Sequence, residues 1–250
     1  MFDPRVALAS LSGESDARWA LAASEHVGAA VLGGLALDGP TREAARELVA
    51  RGRTEFLPAD PLAFVDDQLT QLDDAPLRVG FNVRSTTVEP VREAARVCRE
   101  HGAFLELNAH CRQAEMCAVG CGESLLRDTE RLATFVAAAS DEGAAVSVKV
   151  RAEVPGVDLA TTARRIADAG ADAIHVDAMD SESVVADVAD AADLFVVANN
   201  GVRDAATVAE YFEYGADAVS VGRASDRPAV LAAVRRATDD WFDRTREVHP

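Results

Sequence analysis

Eight short apolar runs recur at regular intervals along the 250 residues of the chain. Each run is five to seven residues long, is rich in Val, Ile and Ala, and is continuous rather than alternating in hydrophobicity. Strands of this kind are typical of parallel sheets, in which both faces are covered by other elements. The predicted strands cover residues 6–11, 29–35, 77–83, 104–109, 146–151, 173–179, 195–199 and 218–222.

Amphipathic helical patterns lie between the apolar runs. One starts after Pro90, a residue suited to the first turn of a helix, and includes residues 92–99. Two more surround Pro58 and Pro61, so residues 38–76 form an enlarged connection. The remaining predicted helices cover residues 124–139, 159–169, 205–214 and 229–242. Four helices are followed by a glycine, which readily adopts the left-handed backbone at a helix end: Gly102, Gly143, Gly170 and Gly215.

Strands and helices that alternate eight times over about 250 residues predict a (β/α)8 TIM barrel of the α/β class. The competing fold is an open, doubly wound parallel sheet. That fold would carry Gly-x-Gly-x-x-Gly after its first strand, and this motif is absent from the chain. No linker or shift in composition divides the sequence. We therefore expect a single barrel domain over residues 1–250.

The charge balance is strongly acidic, with 42 Asp and Glu residues against 25 Lys and Arg residues and a net charge of −17. Only one of the basic residues, Lys149, is a lysine. This pattern is typical of a halophilic host that keeps concentrated salt in its cytoplasm, and a codon bias that replaces Lys with Arg would also produce it. No apolar run is long enough to span a membrane, and no signal peptide is visible. We therefore expect a cytoplasmic protein without a membrane partner.

Polar residues and glycines cluster at the carboxyl ends of the predicted strands, where barrel enzymes carry their chemistry. Each of them taken singly has an equally good structural explanation. Their convergence on one end of a barrel indicates a ligand site. The set comprises Ser10, Ser12, Asp38, Asn82, Arg84, Asn108, His110, Cys111, Lys149, Arg151, His175, Asp177, Asn199, Asn200, Gly201, Gly222 and Arg223.

Lys149 lies within the apolar strand 146–151. Burying an ammonium there costs several kcal/mol unless an anionic or hydrogen-bonding group meets it. A compact ammonium can contact a ring carbonyl or ring nitrogen at a point where a flat guanidinium would not fit. The alternative is a salt bridge to Glu106 inside the barrel. Contact with a ligand is the favoured interpretation.

Two strand ends have the composition of a phosphate site. The seventh strand is followed by Asn200-Gly201 and the eighth by Gly222-Arg223, while Asp204 is a predicted N-cap for the next helix. Loops at these positions of a barrel commonly bind phosphate through backbone N–H groups and a helix N-terminus. The glycines permit close backbone approach, and Arg223 can bind a phosphate through two parallel hydrogen bonds. The alternative is a pair of ordinary turns.

The fourth strand is followed by Asn108, His110 and Cys111. A thiol at the mouth of a barrel can act as an acid, a base or a nucleophile. Cys111, Cys117 and Cys121 could also ligate a metal or a cluster, but their Cys-x5-Cys-x3-Cys spacing matches none of the usual sites, so no metal is expected. For Cys117 and Cys121 the alternative role is packing as small apolar side chains.

Four segments resemble motifs of the tRNA-dihydrouridine synthases, FMN-dependent TIM barrels related to the dihydroorotate dehydrogenases. Residues 146–151, Val-Ser-Val-Lys-Val-Arg, are close to the family's Val-x-Val-Lys-x-Arg. Residues 106–111, Glu-Leu-Asn-Ala-His-Cys, resemble its Asp-x-Asn-x-Gly-Cys-Pro segment and keep the Asn and the Cys. Residues 8–16 are similar to its Leu-Ala-Pro-Met-x-Gly-x-Thr-Asp without Pro and Met, and residues 120–128 to its Gly-x-Gly-x-x-Leu-Leu-x-Asp. The chain resembles a divergent, archaeal-type member.

The resemblance implies FMN as the cofactor and NADPH or NADH as the electron donor. It places Lys149 near N1 and O2 of the flavin ring, where the ammonium would stabilise the reduced, anionic flavin. Cys111 would give a proton to C5 of a uracil while flavin N5 gives a hydride to C6, and Asn108 would orient the base. Asn82 replaces a flavin-binding Gln of the family, and Asp177 stands where the family has a His. The implied FMN contacts other than Lys149 are Ser10, Asn82, His175, Asp177, Asn200, Gly201, Gly222 and Arg223.

The resemblance also implies uridine in tRNA as the substrate. About 27 residues follow Arg223, so we expect the helical tRNA-binding domain of the family to be absent. Arg84, Arg112 and Arg151 near the mouth could bind a small anion. A dihydroorotate or dihydropyrimidine dehydrogenase-like flavoprotein acting on a free pyrimidine-like substrate is therefore an alternative. So is a barrel that binds a phosphate ligand without flavin redox activity. To hold RNA, an acidic barrel would need a partner or a homo-oligomer that supplies the surface.

Overall fold

The computed structural model of the protein describes residues 2–248, with side chains through residue 245. Eight parallel strands pair in chain order, and the first pairs with the last, which closes the sheet into a barrel. The predicted (β/α)8 fold is confirmed. The strands are β1 Val6–Leu8, β2 Ala29–Ala36, β3 Arg78–Arg84, β4 Phe104–Asn108, β5 Ala145–Arg151, β6 Ala173–Asp177, β7 Phe195–Asn199 and β8 Ala218–Val221.

Helices connect the strands and cover the outside of the barrel. The helix predicted at 124–139 is interrupted at Asp128, whose side chain accepts the N–H of Arg131 and caps the second piece. Within residues 2–248, no helix combines the length and the apolar character needed to cross a membrane. The helices are α1 Ala17–Ala22, α2 Gly39–Ala50, α3 Pro61–Thr70, α4 Val88–Glu100, α5 Ala114–Ala118, α6 Glu123–Arg127, α7 Thr129–Ser140, α8 Leu159–Asp168, α9 Val184–Ala189, α10 Ala205–Glu213 and α11 Pro228–Val248, with a 3-10 turn at Arg223–Asp226.

The predicted strands differ from the observed ones mainly at their carboxyl ends. β1 ends at Leu8 rather than at residue 11, because the chain turns there and the N–H groups of Glu14 and Ser15 donate to the carbonyl of Leu11. β6 ends at Asp177 rather than at residue 179, because Met179 adopts a positive φ of 53°. Strand pairing requires a repeating extended backbone, which both turns interrupt. The polar residues that follow these strands therefore lie in loops.

The interior of the barrel is partly polar. Apolar side chains such as Leu8, Phe81 and Leu105 are fully buried in one large core cluster that joins the strands to the helices. Seven polar residues on the strands are nevertheless no more than 3% exposed, and buried polar groups need hydrogen-bond partners. These residues are Asn82, Arg84, Glu106, Ser147, Lys149, His175 and Ser220.

The connection between β2 and β3 folds over the carboxyl end of the barrel. It contains α2 and α3, as predicted for residues 38–76, and the segment 51–60 between them. A Cβ added to Gly13 would lie 2.5 Å from the backbone nitrogen of Glu55, so the loop after β1 packs directly on this segment. A buried ion pair of 2.8 Å between Glu55 and Arg84 joins the same segment to β3. Residues from the connection between β2 and β3 therefore cover part of the mouth of the barrel.

Candidate active site

A cavity of about 660 Å³ opens at the carboxyl end of the barrel. The loops after β1, β4, β6, β7 and β8 contribute to its wall, and so do the ends of β3 and β5 and the segment 51–60. Its volume suits a drug-sized or nucleotide-sized ligand. Fourteen residues were given a catalytic, cofactor-binding or substrate-binding role in the sequence analysis, and twelve of them line the cavity. They are Ser10, Arg84, Asn108, Cys111, Arg112, Lys149, Arg151, Asp177, Asn200, Gly201, Gly222 and Arg223.

The other two predicted residues, Asn82 and His175, are fully buried and lie outside the cavity wall. Both bind the carboxylate of Glu106: Asn82 Nδ2 donates to Oε1 at 2.7 Å, and His175 Nδ1 is 2.8 Å from Oε2. His175 Nε2 is also 2.7 Å from Oγ of Ser220, which does line the cavity. The structure therefore places Asn82 and His175 in a hydrogen-bonded layer within the barrel interior.

Asn108 connects this layer to the loop that carries the thiol. Its Nδ2 donates to Oδ1 of Asn82 at 2.8 Å. Its Oδ1 accepts the backbone N–H of His110 at 3.3 Å and that of Cys111 at 3.0 Å. The side-chain oxygen thus holds two successive backbone groups at the cavity. This contact gives Asn108 a role in positioning Cys111.

Lys149 reaches the cavity from β5 and is 3% exposed. Burial lowers the pKa of its ammonium, and the carboxylates of Glu106 and Asp177 oppose this effect from a distance. Among the described residues, the Lys149 ammonium has no hydrogen-bond partner and no ion pair within 4.0 Å. The salt bridge to Glu106 considered from the sequence is not formed, because that carboxylate binds His175 and Asn82 instead. The ammonium is left available to a ligand.

Asp177 joins the loops after β4 and β7 at the mouth. Its Oδ2 is 2.7 Å from Nε2 of His110, and its Oδ1 accepts a hydrogen bond of 2.9 Å from Asn200 Nδ2. Burial would raise the pKa of Asp177, but the hydrogen bond and charge of His110 and the amide of Asn200 hold it well below its usual value. Burial lowers the pKa of His110, against the effect of Asp177. The two groups therefore form one hydrogen-bonded pair at the mouth.

The loops after β7 and β8 leave backbone donors unused. Within the described part of the chain, the N–H groups of Gly201, Gly222 and Arg223 make no hydrogen bond to the protein. A Cβ added to Gly222 would meet nothing within 4 Å, so the cavity wall is open there. Asp204 caps α10 with Thr207 in a capping box, which confirms the predicted N-cap. Exposed N–H groups beside an arginine are suited to an anion.

The three arginines predicted to contact substrate differ in their partners. The Arg84 guanidinium pairs with Glu55, also donates to Ser12, and is 2% exposed. Arg151 pairs with Glu123. Arg112 is exposed and, among the described residues, has no ion pair or hydrogen bond. Of the three, Arg112 alone keeps its charge available in this structure.

Several cavity residues were not predicted from the sequence. Eight basic side chains line the cavity against three acidic ones, although acidic residues outnumber basic ones in the whole chain by 42 to 25. Such a local excess of positive charge attracts anionic ligands. Arg203 and Arg227 follow the two glycine-containing loops closely, so that proximity could have identified them. Nothing in the sequence indicates that segment 51–60 reaches the mouth. The unpredicted residues include Glu14, Arg53, Thr54, Glu55, Met179, Arg203 and Arg227.

The remaining cysteines lie around the thiol loop or in the core. Cys121 is 1% exposed, and burial raises the pKa of its thiol to about 12. Cys117 is partly exposed, with its Sγ 3.5 Å from the carbonyl oxygen of Cys111. Cys98 is fully buried in α4, where burial raises its pKa to about 12. Among the described residues, no three His, Cys, Asp or Glu side chains form a group that could hold a metal ion.

Comparisons with known proteins point to one family. The dihydrouridine synthase (Dus) family profile matches residues 38–249. An uncharacterized protein of Methanocaldococcus jannaschii is 26% identical over 233 residues, which cover 88% of this chain and 89% of that protein. The tRNA-dihydrouridine synthase B of Xanthomonas axonopodis pv. citri is 29% identical over 199 residues, 73% of this chain. The match spans 58% of the length of that synthase.

Solved structures share the fold at low sequence identity. A mutant of FabK from Thermotoga maritima superposes with a TM-score of 0.60 and 16% identity over 90% of this chain and 63% of that one. A chain of the tryptophan synthase complex from Pyrococcus furiosus superposes with a TM-score of 0.57 and 14% identity over 97% of both chains. At such identities the likeness shows a common barrel fold, and the chemistry must be argued from the site.

Proposed function

Because the chain belongs to the dihydrouridine synthase (Dus) family, we propose that it is an FMN-dependent oxidoreductase that reduces the C5=C6 bond of uridine in tRNA. One observation carries the proposal: the buried ammonium of Lys149 has no partner in the described protein and lies in the same cavity as the Cys111 thiol. A cation for the cofactor ring and an acid for the substrate are the two groups that this reduction requires.

The charge of the cavity and its unpaired donors support FMN as the ligand. Lys149 is the cation that we assign to the flavin ring. The free N–H groups and the open wall at Gly222, with the exposed guanidinium of Arg223, suit the phosphate. Asn200 and Gly201 complete that side, and Ser10 lines the cavity after β1. The phosphate assignment rests on the free N–H groups of Gly201, Gly222 and Arg223.

When bound, FMN supplies the hydride that is added to C6 of the uracil. The chain itself supplies the proton for C5, which we assign to the Cys111 thiol. Its loop is held by Asn108 Oδ1 and by the N–H of Glu123, which donates to the carbonyl of Cys111 at 2.9 Å. A fixed acid close to the substrate lowers the barrier to protonating a carbon. Asn108 therefore acts in our proposal by positioning the acid, in addition to its predicted contact with the base.

Asn82, His175 and Asp177 contribute to the flavin site in different ways. Asn82 and His175 are buried beneath the cavity, and both bind the carboxylate of Glu106. We therefore propose that Asn82 holds the side chain of Asn108 in place and that His175 holds that of Ser220. Asp177 lines the cavity and faces the charge of Lys149. The negative charges of Asp177 and Glu106 make the site less positive than Lys149 alone would make it. Direct contact of Asn82 and His175 with the flavin remains a prediction from the family resemblance.

The substrate assignment rests on Arg112 and on the excess of basic side chains that line the cavity. Arg112 is exposed beside Cys111, whereas Arg84 and Arg151 are held by Glu55 and Glu123. We propose uridine in tRNA as the substrate and NADPH or NADH as the electron donor. A free pyrimidine-like anion would fit the same positive cavity, so a dihydroorotate or dihydropyrimidine dehydrogenase-like activity is the second candidate. We also propose that residues 1–250 function as one barrel domain, with any further RNA surface supplied by a partner or a second copy.

The decisive experiment combines a spectrum with a product assay. The protein is purified in molar KCl and its absorption spectrum is recorded before and after addition of FMN. NADPH or NADH is then supplied with a uridine-containing tRNA transcript or, separately, with uracil or orotate. Mass spectrometry detects the addition of two hydrogens to the base. We expect flavin absorption and product from tRNA.

Variants link the result to the site. Cys111→Ala is expected to keep the flavin spectrum and to lose product formation at least about a hundredfold, since general acids contribute on that order. Cys117→Ala is the matched control, because it removes a neighbouring, partly exposed thiol. Product from free pyrimidines alone would favour the second candidate. A protein that neither contains nor takes up FMN would overturn the proposal and leave a phosphate-binding barrel without flavin redox chemistry.

A further inference from the structure

His110 and Asp177 form a pair at the cavity that the proposed reaction does not use. Their 2.7 Å contact joins the loop after β4 to the end of β6, across the end of the intervening strand β5. The second carboxylate oxygen of Asp177 accepts hydrogen bonds from Asn200 Nδ2 at 2.9 Å and from the N–H of Met179 at 3.4 Å. The orientation of the imidazole is therefore fixed from three strand ends.

The hydrogen bond also determines which ring nitrogen is basic. The carboxylate of Asp177 is ionised, so Nε2 of His110 carries the hydrogen and donates it. Burial and the charges of Lys149 on β5 and His175 on β6 lower the pKa of His110, and the hydrogen bond and charge of Asp177 oppose them without offsetting them. A neutral imidazole with hydrogen on Nε2 has Nδ1 as its free base. Among the described residues, Nδ1 has no hydrogen-bond partner, and His110 lines the cavity.

The thiol of Cys111 lies in the same cavity, one residue further along the chain. Asn108 Oδ1 accepts the N–H groups of both residues, so the imidazole and the thiol are presented by one fixed turn. A carboxylate that orients an imidazole beside a thiol or hydroxyl is a recurrent arrangement for moving the proton of that group. Here the imidazole comes from the loop after β4, its carboxylate comes from β6, and the thiol lines the same cavity.

We propose that His110, oriented by Asp177, returns a proton to Cys111 in each catalytic cycle. This inference rests on the proposed function, in which the Cys111 thiol gives its proton to C5 and becomes a thiolate. Nδ1 of His110 takes up one proton from solvent, and the carboxylate of Asp177 stabilises the imidazolium. The imidazolium then passes that proton to the thiolate through water in the cavity, which restores the neutral imidazole and the thiol. One solvent proton is consumed per cycle, and no electron moves in this step.

Alkylation of Cys111 by iodoacetamide tests the proposal without flavin, substrate or turnover. The reference protein carries Cys117→Ser, and peptide mass spectrometry measures the rate of labelling at Cys111. His110→Gln is expected to lower this rate at neutral pH at least about tenfold, because the thiol loses the base that accepts its proton. Asp177→Asn is expected to lower it less. Free imidazole should restore labelling in His110→Ala, a rescue that a purely structural role would not produce.

His101→Gln is the matched control, since His101 also lies between two carboxylates, at 2.9 Å from Asp66 and from Asp73, but outside the cavity. Its labelling rate should equal that of the reference. Equal rates for the reference and His110→Gln between about pH 5 and pH 9 would overturn the proposal. If labelling depends on His110 but no dihydrouridine forms from tRNA, the proton-transfer pair stands and the proposed function fails. If His110→Gln forms dihydrouridine at the wild-type rate, the pair is not the proton source.

Discussion

Among single residues, Lys149 carries a buried charge whose desolvation costs folding free energy. It is the only lysine in the chain, it is 3% exposed, and burial lowers the pKa of its ammonium. The nearest carboxylate on the neighbouring strand, Glu106, is occupied by His175 and Asn82. A buried charge without a close partner destabilises the folded chain unless a ligand completes its environment. The position is therefore a site at which stability and ligand binding oppose each other.

Lys149→Met should separate these two effects. Methionine has a similar volume and no charge, so we expect the unfolding free energy of the ligand-free protein to rise by about 1 kcal/mol. FMN affinity should fall at least about tenfold, because the ring loses its cation. Urea denaturation and a fluorescence titration with FMN measure the two quantities. Lys149→Arg keeps the charge and should show neither gain in stability nor normal affinity. Wild-type FMN affinity in Lys149→Met would contradict the assignment.

His175 leads us to expect a loss of stability in acid. Burial lowers its pKa in the folded protein, while the unfolded chain titrates near the ordinary value of about 6.5. Below that value the unfolded state binds a proton that the folded state does not, so the unfolding free energy falls as the pH falls. We expect the thermal midpoint to drop between about pH 6.5 and pH 5. Differential scanning fluorimetry at constant KCl measures it.

His101 provides a control of opposite sign. Its contacts with Asp66 and Asp73 raise its pKa, so its contribution is fully present below about pH 6.5 and is lost as the pH rises through the folded value. His175→Gln should therefore flatten the loss of stability in acid, and His101→Gln should steepen it. An identical pH profile for His175→Gln and wild type would show that this histidine is not the titrating group.

At the level of helices and strands, some polar residues at strand ends line the cavity, and others connect one element to the next. Asp38 follows β2 but does not line the cavity. Its Oδ1 accepts the N–H of Thr41 at 3.1 Å and caps α2, while its Oδ2 accepts the N–H of Thr86 at 2.6 Å and the hydroxyl of Ser85 at 2.9 Å. One carboxylate therefore joins the start of α2 to the loop after β3. Its role is in the architecture of the mouth.

Asp38→Ala should destabilise the protein without changing its ligand chemistry. The substitution removes a helix cap, worth about 1 kcal/mol, and leaves further donors without an acceptor at about 1–3 kcal/mol. We expect a loss of about 2–4 kcal/mol in unfolding free energy, measured by urea denaturation, with FMN affinity unchanged. Asp38→Asn keeps an oxygen for the cap and should lose less. Wild-type stability of Asp38→Ala would contradict the role seen here.

The positions of residues on the strands also explain which site residues could be predicted from the sequence. Lys149, Cys111 and the glycine loops were identifiable because strand ends follow from the spacing of apolar runs, and a barrel brings all eight ends together. Asn82 and His175 also lie on strands, but both side chains point into the barrel interior, where they bind the carboxylate of Glu106. That partnership joins β3, β4 and β6 and leaves no signal in local sequence.

At the scale of the whole molecule, charge is distributed unevenly. The chain has a net charge of −17, yet basic side chains outnumber acidic ones around the cavity by eight to three. The acidic surface repels itself, and salt screens this repulsion over a Debye length of about 10 Å at 0.1 M and about 3 Å at 1 M. The same salt weakens the attraction of an anionic ligand to the cavity. Fold stability and ligand association should therefore respond to salt in opposite directions.

We expect the thermal midpoint to rise when KCl is raised from about 0.1 M to about 1 M, because screening reduces repulsion among surface carboxylates. Differential scanning fluorimetry across a KCl series measures the change. A variant in which three exposed acids, Asp74, Asp187 and Asp190, are replaced by Asn should show a smaller rise. The FMN association rate should fall over the same range. A midpoint that is independent of KCl would exclude self-repulsion as a determinant of stability.

The barrel, the order of its strands and the end at which the polar residues gather could all be predicted from the amino-acid pattern. These follow from the periodicity of apolar residues, which depends on near neighbours in the chain. Which polar side chains face the cavity and which bind one another depends on the folded arrangement. It decided that His110 meets Asp177, that Glu106 binds His175 rather than Lys149, and that Arg53 reaches the mouth. The reason is physical: a buried charge selects its partner by distance and competing hydrogen bonds across strands, and those distances exist only in the folded chain.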